Sequence, residues 1–271
     1  MPRGIQVNML ISMEWRTQLT AAGDQIEREW LGFARPHPAR VLDGLCGFSQ
    51  AAFVPDIVGQ HYCPRCAGSV GAGEFIEGKG CAACRNRRYP WEQIIRLGRH
   101  DGDLRQWVHE IKFHAWDAMG IELGRRLGRS LIQVGVRPDA VVPVPASAWR
   151  RWRRGIDHSR TIASGVASVL DLPIVRAMKR KSRPPQRAVP PSRRRENVRG
   201  AFGVRRLNFL RDASILLVDD VTTTRATLLE ACTTLRRQAG VAIITCAVLT
   251  VAETVRSQRV IPEGASPDHG G

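Results

Sequence analysis

Two adjacent carboxylates, Asp219 and Asp220, are followed one residue later by Thr222, Thr223, Thr224, Arg225, Ala226 and Thr227. Paired carboxylates accept hydrogen bonds from neighbouring sugar hydroxyls, and Thr hydroxyls donate to phosphate oxygens. A helix start just beyond would add free backbone N–H groups and a partial positive charge. The segment therefore reads as an acceptor pair for a sugar beside a cradle for its phosphate. A second chemistry lies upstream. Cys63-Pro64-Arg65-Cys66 and Cys81-Ala82-Ala83-Cys84 are two CxxC pairs with fourteen residues between them. Each pair turns two thiolates toward one centre, and the two together complete a tetrahedral Zn²⁺ site. Four sulfurs leave no open position for water, so such a metal is structural. Disulfides are the competing reading, but nothing in the chain suggests export to an oxidising compartment.

These residues need elements to hold them. Ile215, Leu216, Leu217 and Val218 form an apolar run that reads as a buried parallel strand ending at the carboxylates. A helical pattern follows over 226–238. Open α/β sheets bind ligands beyond the carboxyl ends of their strands, which is where both features fall. Upstream, Leu104, Trp107, Val108 and Ile111 recur at helical spacing from residue 103. Further helices are expected over 117–133 and 158–170, with Asp157 placed to cap the latter. Strands are expected over 139–145, running into a Pro-rich loop, then at 174–175 and 242–251. Strands alternating with helices argue for an α/β fold with a parallel sheet flanked by helices. The expected domains are an N-terminal helical and irregular extension over 1–60, a zinc ribbon over 61–90, an α/β domain over 91–253 and a disordered tail over 254–271. A helix near 15–30 belongs to the extension. Cys232, Cys246 and Cys46 read as plain buried residues.

The chain of 271 residues carries a formal net charge of +16, and Lys occurs only at Lys79, Lys112, Lys179 and Lys181. An Arg-rich surface favours phosphate-rich partners, although a general composition bias would look the same. The distribution says more. Trp149, Arg150, Arg151, Trp152, Arg153 and Arg154 form one cluster, and residues 176–199 form another with Glu196 as its only acid. Trp interleaved with Arg suits base stacking with phosphate neutralisation, whereas two Trp three residues apart also suit packing on a neighbouring element. The first sixteen residues lack a signal-peptide core, and the longest apolar run, 241–252, is shorter than the roughly 20 residues a membrane span needs. A soluble, cytoplasmic protein without membrane insertion is expected.

The 215–227 segment resembles the phosphoribosyl-pyrophosphate (PRPP) signature of type I phosphoribosyltransferases. That resemblance implies that Asp219 and Asp220 hold the ribose hydroxyls and that Thr222 to Thr227 hold the 5′-phosphate. One departure stands out, because Arg225 occupies the position where the family's loop carries Gly. It either adds a cation for the phosphate or disturbs the loop. Further landmarks narrow the resemblance to the ComF family of competence-associated phosphoribosyltransferase-like proteins with an N-terminal four-cysteine zinc ribbon. They are the CxxC pairs, Ile111-Lys112-Phe113, Val142-Pro143-Val144-Pro145, Arg154-Gly155-Ile156-Asp157-His158, Gln186, and Asn197-Val198-Arg199-Gly200-Ala201-Phe202, in that order. The resemblance implies a type I phosphoribosyltransferase-like sheet, structural Zn²⁺, and Mg²⁺ bound with PRPP. It implies pyrophosphate and loop roles for Arg154, Gln186, Arg194 and Asn197. It also implies a role in DNA uptake or DNA utilisation, with single-stranded DNA and a competence helicase as partners. The alternative is a catalytically inactive phosphoribosyltransferase scaffold that binds single-stranded nucleic acid through Trp149, Arg150, Arg151, Trp152 and Arg153.

Overall fold

The computed structural model describes residues 54–71, 73–114, 117–146, 157–181, 198–205 and 208–253. Among these, a small antiparallel pair comes first, β1 (Phe75–Ile76) with β2 (Gly80–Cys81). The α/β unit follows: β3 (Gln93–Arg99), α1 (Gly102–His114), α2 (Asp117–Gln133), β4 (Ala140–Pro143), α3 (His158–Leu170), β5 (Met178–Arg180), β6 (Phe202–Val204), β7 (Ser214–Thr222), α4 (Ala226–Ala239) and β8 (Ile243–Val251). The central sheet is all parallel, in the order β3-β8-β7-β4. Helices α1, α2 and α3 pack their apolar stripes on one face. Helix α4, the β5–β6 pair and the cysteine-rich segment cover the other.

Three differences from the expected elements bear on the site. Strand β7 does not stop before the carboxylates. It runs through Asp219 and Asp220 to Thr222, because β8 stays extended alongside it, pairing Thr250 with Val221 and Val251 with Thr222. Strand β3 carries no clean apolar signal, since Arg96 stands in its middle. Yet Arg96 is fully buried, with its guanidinium on Asp56 at 2.7 Å, the Ala67 carbonyl at 2.8 Å and Ser69 Oγ at 3.0 Å. Those partners let a cation occupy a position that burial would otherwise forbid. The expected strand at 174–175 is only a single parallel bridge between Ile174 and Val141.

The position of α3 depends on missing side chains. Gly120, Gly124 and Gly128 recur every four residues on α2 and so share one face. A Cβ at Gly124 would stand 2.2 Å from the Ile162 carbonyl oxygen, and one at Gly165 would stand 1.9 Å from that of Ile121. Only backbone fits between the two helices. This close packing delivers the first residues of α3 to the carboxyl end of β7.

Candidate functional site: a carboxylate pair beside a cysteine centre

At the end of β7, Asp219 and Asp220 meet different neighbours. Asp219 is buried, and its Oδ1 accepts from Ser159 Oγ at 3.0 Å and from the Asp220 amide at 2.9 Å. Burial, and then the charge of Asp220, push its carboxyl up to about 7, against the pull of those hydrogen bonds. Asp220 lies 2.9 Å from Lys112 Nζ, with both side chains one-fifth exposed. Burial raises its carboxyl too, but the Lys112 ammonium outweighs that and holds it below the ordinary carboxylate range, with a smaller contribution from His158. The pair is thus divided, with Lys112 favouring the charged form of Asp220 and burial favouring the neutral form of Asp219. A ligand offering hydroxyl donors would find one firm acceptor and one that it can finish ionising.

Lys112, His158 and Ser159 were not singled out as site residues by type or spacing. The signal was present only as the place of Lys112 and His158 in the 111–113 and 154–158 strings. Asp157 stands at the N-cap of α3, but its side chain makes no capping hydrogen bond. The expected cap is therefore absent, and its backbone carbonyl accepts from Thr161 N–H at 3.0 Å.

After Thr222 the chain turns once and enters α4 at Ala226. The first amides of α4 lack helical acceptors, as at every helix start, and Thr223, Thr224 and Thr227 surround them in sequence. Arg225 adopts φ 61° and ψ 6°, the left-handed conformation that glycine takes without cost. The strain, about 1–2 kcal/mol for a residue with a Cβ, is offset by what the side chain reaches. Arg225 Nε donates to the Cys66 carbonyl, a charged hydrogen bond of the kind that contributes about 1.5–3 kcal/mol. The Arg225 side chain is thereby directed to the cysteine knuckle.

The four cysteines converge. Cys63, Cys66, Cys81 and Cys84 are buried, and their Sγ atoms all lie within 4.8 Å of one another. The Cys63–Cys84 and Cys66–Cys81 separations are 3.6 Å, and Cys81–Cys84 is 3.7 Å. Zn–S bonds of about 2.3 Å in a tetrahedron require sulfurs about 3.8 Å apart, so the set fits a metal ion such as zinc. The two turns share one backbone pattern: Ala67 N–H bonds the Cys63 carbonyl at 2.7 Å, and Arg85 N–H bonds that of Cys81 at 3.0 Å. Gly80 combines φ 81° with a bare α-carbon whose Cβ would stand 2.8 Å from Cys84 Sγ. Trp91 Nε1 donates to the Arg65 carbonyl at 3.0 Å, and Ile94 N–H to that of Pro64 at 2.7 Å, seating the knuckle on the sheet.

Cys232 and Cys246 are buried in the core with Sγ atoms 3.6 Å apart. The described part of the 197–202 string packs on α4, with Val198, Ala201 and Phe202 buried and the Gly200 amide on Glu230 Oε1 at 2.6 Å. Arg154, Gln186, Arg194, Asn197, the cluster Trp149, Arg150, Arg151, Trp152 and Arg153, and Cys46 lie outside the described residues. So do the helix expected near 15–30 and the tail over 254–271.

The family model described as phosphoribosyl transferase domain matches residues 156–261. Competence protein F of Haemophilus influenzae is 28% identical over 212 residues, which is 72% of this chain and 85% of that protein. DNA utilization protein YhgH of Escherichia coli K12 is 25% identical over 210 residues, or 74% of this chain and 87% of that one. The chain is similar to proteins of the ComF family. The parallel sheet and its flanking helices give the chain a type I phosphoribosyltransferase-like fold, and the four-cysteine cluster fits a metal-binding ribbon. An allosteric regulatory enzyme of purine biosynthesis also aligns, at 22% identity and TM-score 0.34 over 47% of this chain and 25% of its own.

Proposed function

We propose that the chain binds Mg²⁺-PRPP at the carboxyl end of β7 and acts as a phosphoribosyltransferase-family protein in the utilisation of DNA. The observation that carries the reading is the divided carboxylate pair, Asp220 paired with Lys112 at 2.9 Å and Asp219 buried against Ser159, immediately before a Thr-lined helix start. Asp219 and Asp220 accept the two ribose hydroxyls. Thr222, Thr223, Thr224, Ala226 and Thr227 present hydroxyls and helix-start amides to the 5′-phosphate. Arg225 contributes the backbone shape of that loop and no charge to its ligand.

Mg²⁺ enters with PRPP as part of the substrate and lowers the cost of the departing pyrophosphate's charge. The protein's share of catalysis is to orient the ribose so that the anomeric C–O bond breaks, pyrophosphate leaving with its electron pair while a nucleophilic atom of the acceptor bonds to the same carbon, and to place acceptors beside the positive charge that develops on the sugar. Arg154, Gln186, Arg194 and Asn197 complete the site as pyrophosphate and loop residues. Zinc in the four-cysteine centre is structural. The role in DNA uptake or utilisation is supported by relatives named for competence and DNA utilisation.

A second reading starts from the cluster Trp149, Arg150, Arg151, Trp152, Arg153 and Arg154. On that reading the scaffold is inactive and binds single-stranded nucleic acid, with Trp149 to Arg154 supplying stacking and charge. Thermal unfolding of the zinc-loaded protein separates the two. Mg²⁺-PRPP at one hundred times its Kd adds about 2.7 kcal/mol to a protein that binds it in the folded state only. Stabilisation by Mg²⁺-PRPP that is lost in Asp219→Asn/Asp220→Asn supports the first reading. Absence of stabilisation at millimolar Mg²⁺-PRPP, with oligonucleotide binding intact, favours the second.

A further inference from the structure

The side chain that replaces the family's loop glycine reaches away from the loop and into the cysteine centre. Arg225 is the last residue before α4 and holds a left-handed conformation there. Its Nε donates to the carbonyl of Cys66, and its Nη2 lies 3.6 Å from where a Cβ at Gly68 would stand. The knuckle at the other end of this contact is itself held: Arg96 grips the Ala67 carbonyl and Ser69 Oγ from the sheet. The described backbone of the phosphate loop and that of a metal-ligating cysteine are therefore joined through one side chain, at a position where a glycine could make no such link.

We propose that Arg225 is a positioning residue that ties the conformation of the 222–227 loop to occupancy of the four-cysteine centre. Loss of the metal frees Cys66 and its carbonyl, and Arg225 then no longer has a fixed anchor. Its backbone keeps a strained conformation only while the surroundings enforce it, so the loop loosens. The coupling is reciprocal: whatever orders the loop also holds the metal more firmly. Its consequence for ligand binding rests on the reading of the loop as a phosphate cradle, but the physical link does not.

Hydrogen–deuterium exchange of the full chain, zinc-loaded and zinc-stripped, reads this link without any nucleotide. In the wild type, stripping speeds exchange of a peptide covering 222–229 by about tenfold, the equivalent of one charged hydrogen bond, while a peptide from β8 stays protected. In Arg225→Gly that loop peptide exchanges at one rate with or without zinc. A wild-type loop that ignores zinc, or a variant loop that still responds to it, overturns the proposal. Where stripping opens β8 as well, transfer of zinc to a chelator decides. Release is then about tenfold faster from Arg225→Gly than from the wild type, with Arg225→Lys in between; equal rates in all three overturn it. Titration of ribose 5-phosphate into zinc-loaded wild type is the separate control. Its failure to bind would sink the phosphate-cradle reading and leave the exchange result to decide the strut.

Discussion

Replacing Asp219 with Asn should stabilise the ligand-free protein while destroying its proposed function. The fold raises this carboxyl from an ordinary 3.8 to about 7. A raised acid binds its proton more tightly in the folded state than in the unfolded one. Stability from this group is therefore greatest at low pH, falls as pH rises from about 4 to about 7, and levels off above that. At about 1.36 kcal/mol per pH unit, the whole rise amounts to about 4 kcal/mol of opposition to folding at neutral pH. Asn keeps an Oδ1 to accept from Ser159 and from the Asp220 amide, which lie at 3.0 and 2.9 Å in the wild type. It carries no charge to bury. Urea unfolding of both proteins at pH 4.5, 6 and 8 should show the variant about 2–4 kcal/mol more stable at pH 8, with the gap closing toward pH 4.5. A variant that is equal or less stable at pH 8 would refute the argument, since the buried carboxylate would then be supporting the fold.

Lys112→Met should cost about 2 kcal/mol at neutral pH, between the values for exposed and buried pairs, by leaving Asp220 without its cation. Because that cation holds the Asp220 carboxyl low, the loss should shrink as pH falls below the carboxylate range, which unfolding at pH 3 and pH 7 would reveal. Gly165→Ala should overpack the α2–α3 contact, where its Cβ would meet the Ile121 carbonyl oxygen at 1.9 Å. A loss of about 3 kcal/mol, and a fall in Tm of roughly 6–12 °C by calorimetry, is expected. Cys81→Ser should lower the bound zinc measured by elemental analysis and expose the 61–90 segment to limited proteolysis, with β7 and β8 left intact.

The strands and helices that carry an unbroken pattern were legible in the sequence. The second helix is expected over 117–133 and found at Asp117–Gln133, and the third is expected over 158–170 and found at His158–Leu170. Strand β3 was not legible, because its central Arg96 is buried through contacts with Asp56 and Glu253, far away in the chain, and nothing local announces them. The continuation of β7 past its acids is likewise a property of its partner β8. The two carboxylates and the four cysteines could be picked out by spacing, since in each case the chemistry repeats within a few residues. Lys112 and Ser159 could not, because they reach Asp220 and Asp219 only after α1 and α3 pack on the sheet. The course of Arg225 was also hidden. Its type suggests a phosphate ligand, and its αL backbone is what turns the side chain toward Cys66 instead.

The central claim is that the carboxylate pair and the loop after it hold PRPP. Calorimetric titration of Mg²⁺-PRPP into zinc-loaded protein at pH 7 tests it most directly, with Asp219→Asn/Asp220→Asn as the paired control. Saturable one-to-one binding to the wild type, absent from the folded double variant, is the predicted result. No binding to folded wild type, or equal affinity in the double variant, would contradict it.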